Sequence, residues 1–151
     1  MNINQVCDRL QILIKLRLQN NISPIIVGIS GGQGSGKSTL SNVLSKKLKI
    51  DKISSTILSL DDFYLTKYER KKLSRKIHPL AVRRGVPGTH DIASLNQILS
   101  LLRKQDYSLP MMVPSFEKGI DDRRPPEFWS TITEYPRVVF IEGWCVGAFS
   151  E

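Results

Sequence analysis

Cysteine and histidine are scarce in this sequence: 151 residues hold only Cys7, Cys145, His78 and His90. The cysteines form no C-x-x-C pair, and these four side chains offer no zinc cluster. A disulfide framework and a zinc module are therefore excluded, and reduced structural thiols are expected. No run of about eighteen apolar residues is present to span a bilayer. The apolar residues near the N-terminus are interrupted by Arg9, Lys15 and Arg17, with no small-residue cleavage site after them, which argues against a secretory leader. The expected compartment is the cytoplasm, with no membrane partner. Internal repeats, low-complexity tracts and linkers are also lacking.

Acidic residues are few, 14 against 22 Lys and Arg, for a formal charge of +8. The excess lies between Lys67 and Arg84, where Lys67, Arg70, Lys71, Lys72, Arg75, Lys76, Arg83 and Arg84 face the single acid Glu69. Such a balance raises nucleic acid as a partner. Aromatics do not interleave with these charges as stacking platforms, however. The run reads as a solvated face, and phosphorylated small molecules stand ahead of nucleic acid as its functional alternative. An apolar share of 40% is enough for one packed core.

What the sequence does contain is a Gly-rich stretch between an apolar run, Ile25–Val27, and an amphipathic segment. Gly31, four residues, then Gly36-Lys37-Ser38 satisfies G-x-x-x-x-G-K-[ST], the P-loop pattern. Its glycines let backbone N–H groups approach phosphate oxygens, and Lys37 supplies a cation for the outer phosphates. The Ser38 hydroxyl suits a magnesium ion, and the helix N-terminus adds partial positive charge. Gly31, Gly32, Gln33, Gly34, Ser35, Gly36, Lys37, Ser38 and Thr39 are thus the expected ATP contacts. The dinucleotide pattern G-x-G-x-x-G fails, because it would need glycine at Lys37 or Thr39.

In order, Ile3, Val6, Leu10, Leu13 and Leu16 predict an amphipathic helix ahead of the nucleotide domain, so residues 1–22 are taken as an extension and 23–151 as the P-loop domain. Ile25–Ile29 predicts a buried parallel strand, and Leu40, Val43, Leu44 and Leu48 a helix stripe. A second strand, Ser55–Leu60, runs into Asp61 and Asp62, either of which could instead cap the following turn. Arg84–Asp91 reads as a shaped loop in which Thr89 or Asp91 caps a helix carried by Ile92, Leu95, Ile98, Leu99 and Leu102. Tyr107–Pro114 is an edge strand or extended connection, and Asp121–Pro126 a polar loop. Arg137–Gly143 is a buried strand ending at Glu142, where a Walker B carboxylate would support magnesium. Strands alternating with helices predict an α/β fold: a P-loop NTPase three-layer sandwich with a parallel sheet.

The P-loop together with Ser59–Tyr64, Arg84–Asp91, Pro114–Lys118 and Ile141–Trp144 resembles the phosphoribulokinase, uridine kinase and pantothenate kinase superfamily. Within it, R-G-x-P-G-T-H-D and D-D-F-Y-L-T most resemble the D-glycerate 3-kinases and kinase-like relatives. The resemblance covers about residues 23 to 149. It implies an ATP-dependent phosphotransferase acting on the hydroxyl of a small acceptor, with Lys37 on the phosphates and Asp61 as base. Asp62 stands second as base or metal contact, Glu142 joins Ser38 in the magnesium shell, and Arg84, His90, Glu117 and Arg123 surround the acceptor. It also implies that only the N-terminal half of the usual domain is here. Relatives continue into further parallel strands and an arginine-bearing lid, so a separately encoded C-terminal half or self-association is expected to cover the P-loop strand. Three alternatives stay open: an ATP-binding fragment or paralogue without catalysis, uridine or pantothenate as acceptor, and a basic nucleic-acid-associated P-loop protein.

Overall fold

The computed structural model describes residues 2–148, so residues 149–151 of the expected domain lie outside the described range. In chain order its elements are α1 (Ile3–Gln19), β1 (Ile25–Ser30), α2 (Lys37–Ile50), β2 (Ser55–Ser59), α3 (Lys67–Lys76), α4 (Ile92–Lys104), β3 (Met111–Val113), β4 (Phe116–Glu117), β5 (Asp122–Arg123), β6 (Ser130–Ile132) and β7 (Val138–Gly143), with short 3₁₀ turns at Leu60–Phe63, Pro79–Val82 and Pro126–Phe128.

The main sheet is parallel and runs β1–β7–β2. The continuous apolar run of β7 takes its centre, and all six of its residues are buried. Successive side chains of a strand point to opposite faces, and β7 uses this to join two cores. Val138 and Phe140 pack with Cys7, Ile14, Leu44 and Leu48 of α1 and α2. Val139 and Ile141 pack with Leu95, Ile98 and Leu102 of α4 and with Met111, Val113 and Ile132 of the small β3–β6 sheet. The result is the expected α/β three-layer arrangement. α1 enters the core through Cys7, Leu10, Ile14 and Leu18, one face of the helix. Ile3, Leu13 and Leu16 of the predicted stripe are exposed instead, because α2 meets α1 along the neighbouring face.

The basic run forms α3, opened by a capping box in which the Thr66 hydroxyl accepts from Glu69 N and Glu69 accepts from Thr66 N. Its lysines and Arg75 are exposed, as a solvated face requires, and Tyr68 stands exposed among them. Arg70 departs from this expectation, since it is fully buried. The stretch read as a polar loop holds β5, which pairs antiparallel with β4. Two-residue strands are too short to show a period. Of the two cap candidates, Asp91 is the one whose side chain accepts from Ser94 N, while the Thr89 hydroxyl donates to Val86 O.

Among the described residues, β1 pairs with β7 on one side only. Along its other side runs an apolar trough of about 760 Å³, lined by Leu10, Leu13, Ile14, Leu40 and the strand itself, with Ile26 40% exposed. An unpaired strand edge with apolar flanks is a template for further pairing. The 151-residue chain by itself is therefore expected to self-associate, and Ile26→Lys to weaken that association. Sedimentation velocity over a hundredfold concentration range tests this, and a monomer at every concentration would count against it.

Candidate active site

The P-loop leaves β1 at Ser30 and enters α2 at Lys37. Gly36 holds a left-handed conformation, φ 88°, which a side chain would strain. No side chain caps α2 at this end, so the N–H groups of its first turn stay available to an anion. The Lys37 ammonium turns back and donates to Gly32 O at 2.7 Å. A phosphate oxygen would be a stronger partner for that charge than a carbonyl.

Register then brings the second strand's end to the loop. Glu142 of β7 pairs with Ile29 on one side and Ser59 on the other. Its buried carboxylate accepts from the Ser38 hydroxyl, which lies 2.8 Å from both oxygens. A Cβ added at Gly143 would stand 2.7 Å from Leu60 Cβ, so glycine lets the Leu60–Phe63 turn sit against the tip of β7.

That turn carries both aspartates and separates them. Asp61 lines the cleft, where its Oδ2 accepts from Lys118 Nζ at 2.8 Å and its Oδ1 from the Tyr64 hydroxyl at 3.2 Å. Burial pushes its carboxyl up, but the Lys118 hydrogen bond and charge, with Tyr64, outweigh burial and hold it below the usual carboxylate value. Asp62 turns away and accepts from Phe116 N at 3.1 Å. Burial and the charge of Asp61 raise its carboxyl despite that hydrogen bond. The Tyr64 phenol is pushed up to about 12 by burial and by Asp61, so it is a hydrogen donor at neutral pH.

The cleft, about 670 Å³, gathers Gly32, Gln33, Gly34, Lys37, Ser38, Asp61, Arg84, Lys118 and Glu142, with Trp144 at its rim. Of the four expected acceptor residues, only Arg84 lines it, anchored to Asp121 Oδ1 at 2.6 Å. His90 is buried and stacked on Tyr64, ring centroids 4.3 Å apart, and burial lowers its imidazole below the usual value despite Asp61. Arg123 braces the floor by donating to Tyr64 O and Asp91 Oδ2. Glu117 pairs with Arg124 and lies outside the lining.

Sequence reasoning passed over Lys118, Tyr64 and Arg70. Lys118 and Tyr64 lay inside motifs already singled out, at Pro114–Lys118 and Ser59–Tyr64. Arg70 gave no signal, because a buried arginine and a solvated one look alike in a charge run.

Comparison with known proteins sets this geometry in a family. Residues 10–84 match the family model described as the KAP family P-loop domain. An uncharacterized kinase of Schizosaccharomyces pombe is 40% identical over 130 residues, 82% of this chain and 47% of that protein. The chloroplastic D-glycerate 3-kinase of Arabidopsis thaliana is 32% identical over 140 residues, 88% of this chain and 31% of that protein. Among solved structures, a D-glycerate 3-kinase from Cryptococcus neoformans superposes with a TM-score of 0.79 at 28% identity, covering 94% of this chain and 53% of that one. The chain thus spans about half the length, or less, of these relatives. Uridine and pantothenate kinases match over shorter or more divergent stretches. With its P-loop, its parallel sheet and these relatives, the chain is similar to the P-loop kinases, with D-glycerate 3-, uridine and pantothenate kinases among its homologues.

Proposed function

We propose that the chain forms the nucleotide-binding and base-bearing part of an ATP-dependent kinase that phosphorylates a hydroxyl of a small acceptor of the glycerate type. The observation that carries this reading is the convergence of the P-loop, Glu142 and Asp61 on one cleft. Phosphoryl transfer needs positioning and charge neutralisation more than covalent chemistry, and these groups supply both. Lys37 and the N-terminus of α2 would hold the phosphates. Ser38 and Glu142 suit magnesium, since both offer hard oxygen donors and the ion takes much of its shell from phosphates and water. Bound there, magnesium would neutralise phosphate charge.

Asp61, kept ionised, would accept the acceptor's hydroxyl proton. The oxygen so freed bonds to the γ-phosphorus while the bond from that phosphorus to the β–γ bridging oxygen breaks, and ADP leaves. Tyr64 and Lys118 hold the Asp61 carboxylate in its present orientation. Glycerate as acceptor rests on the D-glycerate 3-kinases among the relatives. A cytoplasmic location belongs to the same reading.

The test is transfer of label from [γ-³²P]ATP to glycerate, uridine and pantothenate in the presence of magnesium, with glycerate expected to be the labelled acceptor. Labelling of uridine or pantothenate in its place would reassign the acceptor. Lys37→Ala is expected to weaken binding of a fluorescent ATP analogue by about one to two orders of magnitude, because a charge-assisted contact is worth roughly 1.5 to 3 kcal/mol. An unchanged dissociation constant would mean that the loop does not hold phosphate.

A further inference from the structure

Three cations line the cleft, and two have work that fixes them. Lys37 belongs to the P-loop, and Arg84 is tied to Asp121 Oδ1 and to Lys118 O. Lys118 opens the turn between β4 and β5, followed by Gly119, and its side chain is 60% exposed. The Asp61 carboxylate is the one partner its ammonium has among the described residues. Exposed ion pairs of this kind are weak and rearrange readily. A lysine ammonium also has three donors on a flexible stem, so one carboxylate does not saturate it.

The electrostatics of the acceptor end make such a cation consequential. Asp61 and Glu142 both present carboxylates to the cleft, and Asp62 lies behind Asp61. A neutral alcohol meets no charge barrier there. An acceptor bearing its own carboxylate is repelled by the carboxylate it must approach, unless a cation stands between the two. Lys118 lines the cleft with its ammonium 2.8 Å from the proposed base, in reach of that task.

We propose that Lys118 is the acceptor-selecting cation of the cleft: its ammonium takes the carboxylate of an anionic hydroxy acid and so seats the acid's hydroxyl beside Asp61. This rests on the kinase reading and adds the residue that sets the acceptor's charge. It places Lys118 beside the acceptor, where its neighbour Glu117 was expected, and the Glu117 carboxylate is engaged by Arg124.

Calorimetric titration of the full 151-residue chain with glycerate and with its neutral amide, glyceramide, tests the assignment, alongside K118Q and K118R. The unsubstituted chain is expected to prefer glycerate by about tenfold or more, the worth of one charge-assisted contact. K118Q should abolish the preference by weakening glycerate alone, whereas K118R should retain most of it. A merely structural lysine would affect both ligands equally. The proposal is overturned if the preference survives in K118Q, or if the unsubstituted chain binds glycerate no better than glyceramide. A parallel titration with an ATP analogue separates the two readings. Nucleotide binding without an acceptor preference removes the role of Lys118 and leaves the kinase reading standing, and loss of nucleotide binding removes the kinase reading itself.

Discussion

Replacing Asp61 with Asn is expected to lower turnover about a hundredfold to ten-thousandfold, the usual contribution of a positioned base, while ATP-analogue affinity changes little. The hydrogen bonds of Asp61 go to Lys118 and Tyr64 and not to the P-loop. The amide keeps an oxygen to accept from either but cannot take a proton. Asp62→Asn should cost much less, because that side chain faces Phe116 N, for which an amide oxygen is an adequate acceptor. The pH profile supplies a second check. Asp61 must be ionised to act, and its carboxyl lies below the usual value. Its acid limb, where activity is lost as pH falls through the folded-state pKa, is therefore expected below the ordinary Asp value of about 3.9. Steady-state kinetics of both variants near neutral pH, with a profile of the unsubstituted chain from about pH 3 to 8, would decide the matter, and a greater loss at Asp62 would exchange the two roles.

Arg70→Ala is expected to destabilise the fold by about 3 to 5 kcal/mol, the cost of breaking a buried charge network. The Arg70 guanidinium donates to Leu65 O at 3.1 Å, Val82 O at 3.0 Å and Asp121 O at 2.5 Å, and pairs with Asp121 Oδ2 at 3.1 Å. It thereby ties the start of α3, the Pro79–Val82 turn and the β4–β5 turn to one point. Removal leaves three carbonyls and a carboxylate without this donor. Arg70→Lys should also be costly, since one ammonium does not reproduce a planar fork with three directions. Urea unfolding measures the effect, and a change within about 0.5 kcal/mol, the range of ordinary surface substitutions, would return Arg70 to the solvated face. The same variant should loosen Lys118 and Arg84, because Asp121 anchors the turn on which both depend.

The nucleotide side of the site was legible in the sequence because each part is local. A P-loop is one contiguous stretch, and a strand ending at Glu142 announces itself by a continuous apolar run. Such signals survive without tertiary knowledge. The acceptor side was legible only as motifs. Pro114–Lys118 was singled out, yet whether Glu117 or Lys118 enters the cleft depends on where the β4–β5 turn falls, and a two-residue strand leaves no period to read. His90 and Arg123 carry polar atoms that suit a ligand, but neither lines the cleft: His90 is buried against Tyr64, and Arg123 is half-buried and held by Asp91. Burial of α1 was misjudged for a related reason. Several faces of that helix are apolar, and the choice among them belongs to α2.

The position of β7 at the centre of the sheet also governs how the chain can fold. β1 and β2 are early in sequence and never touch as strands; each pairs only with β7, Ile25 with Val138 and Ser55 with the same residue. Until β7 is available, neither has a partner in the main sheet, and the two hydrophobic clusters lack the strand that joins them. Closing so long a loop adds little entropic cost per further residue, but contacts this distant in sequence slow folding. On a ribosome, the P-loop and both aspartates emerge well before the strand that sets them side by side. The nascent chain therefore carries every residue of the nucleotide loop before Glu142 can be set against it, and the cleft is complete only once β7 has paired.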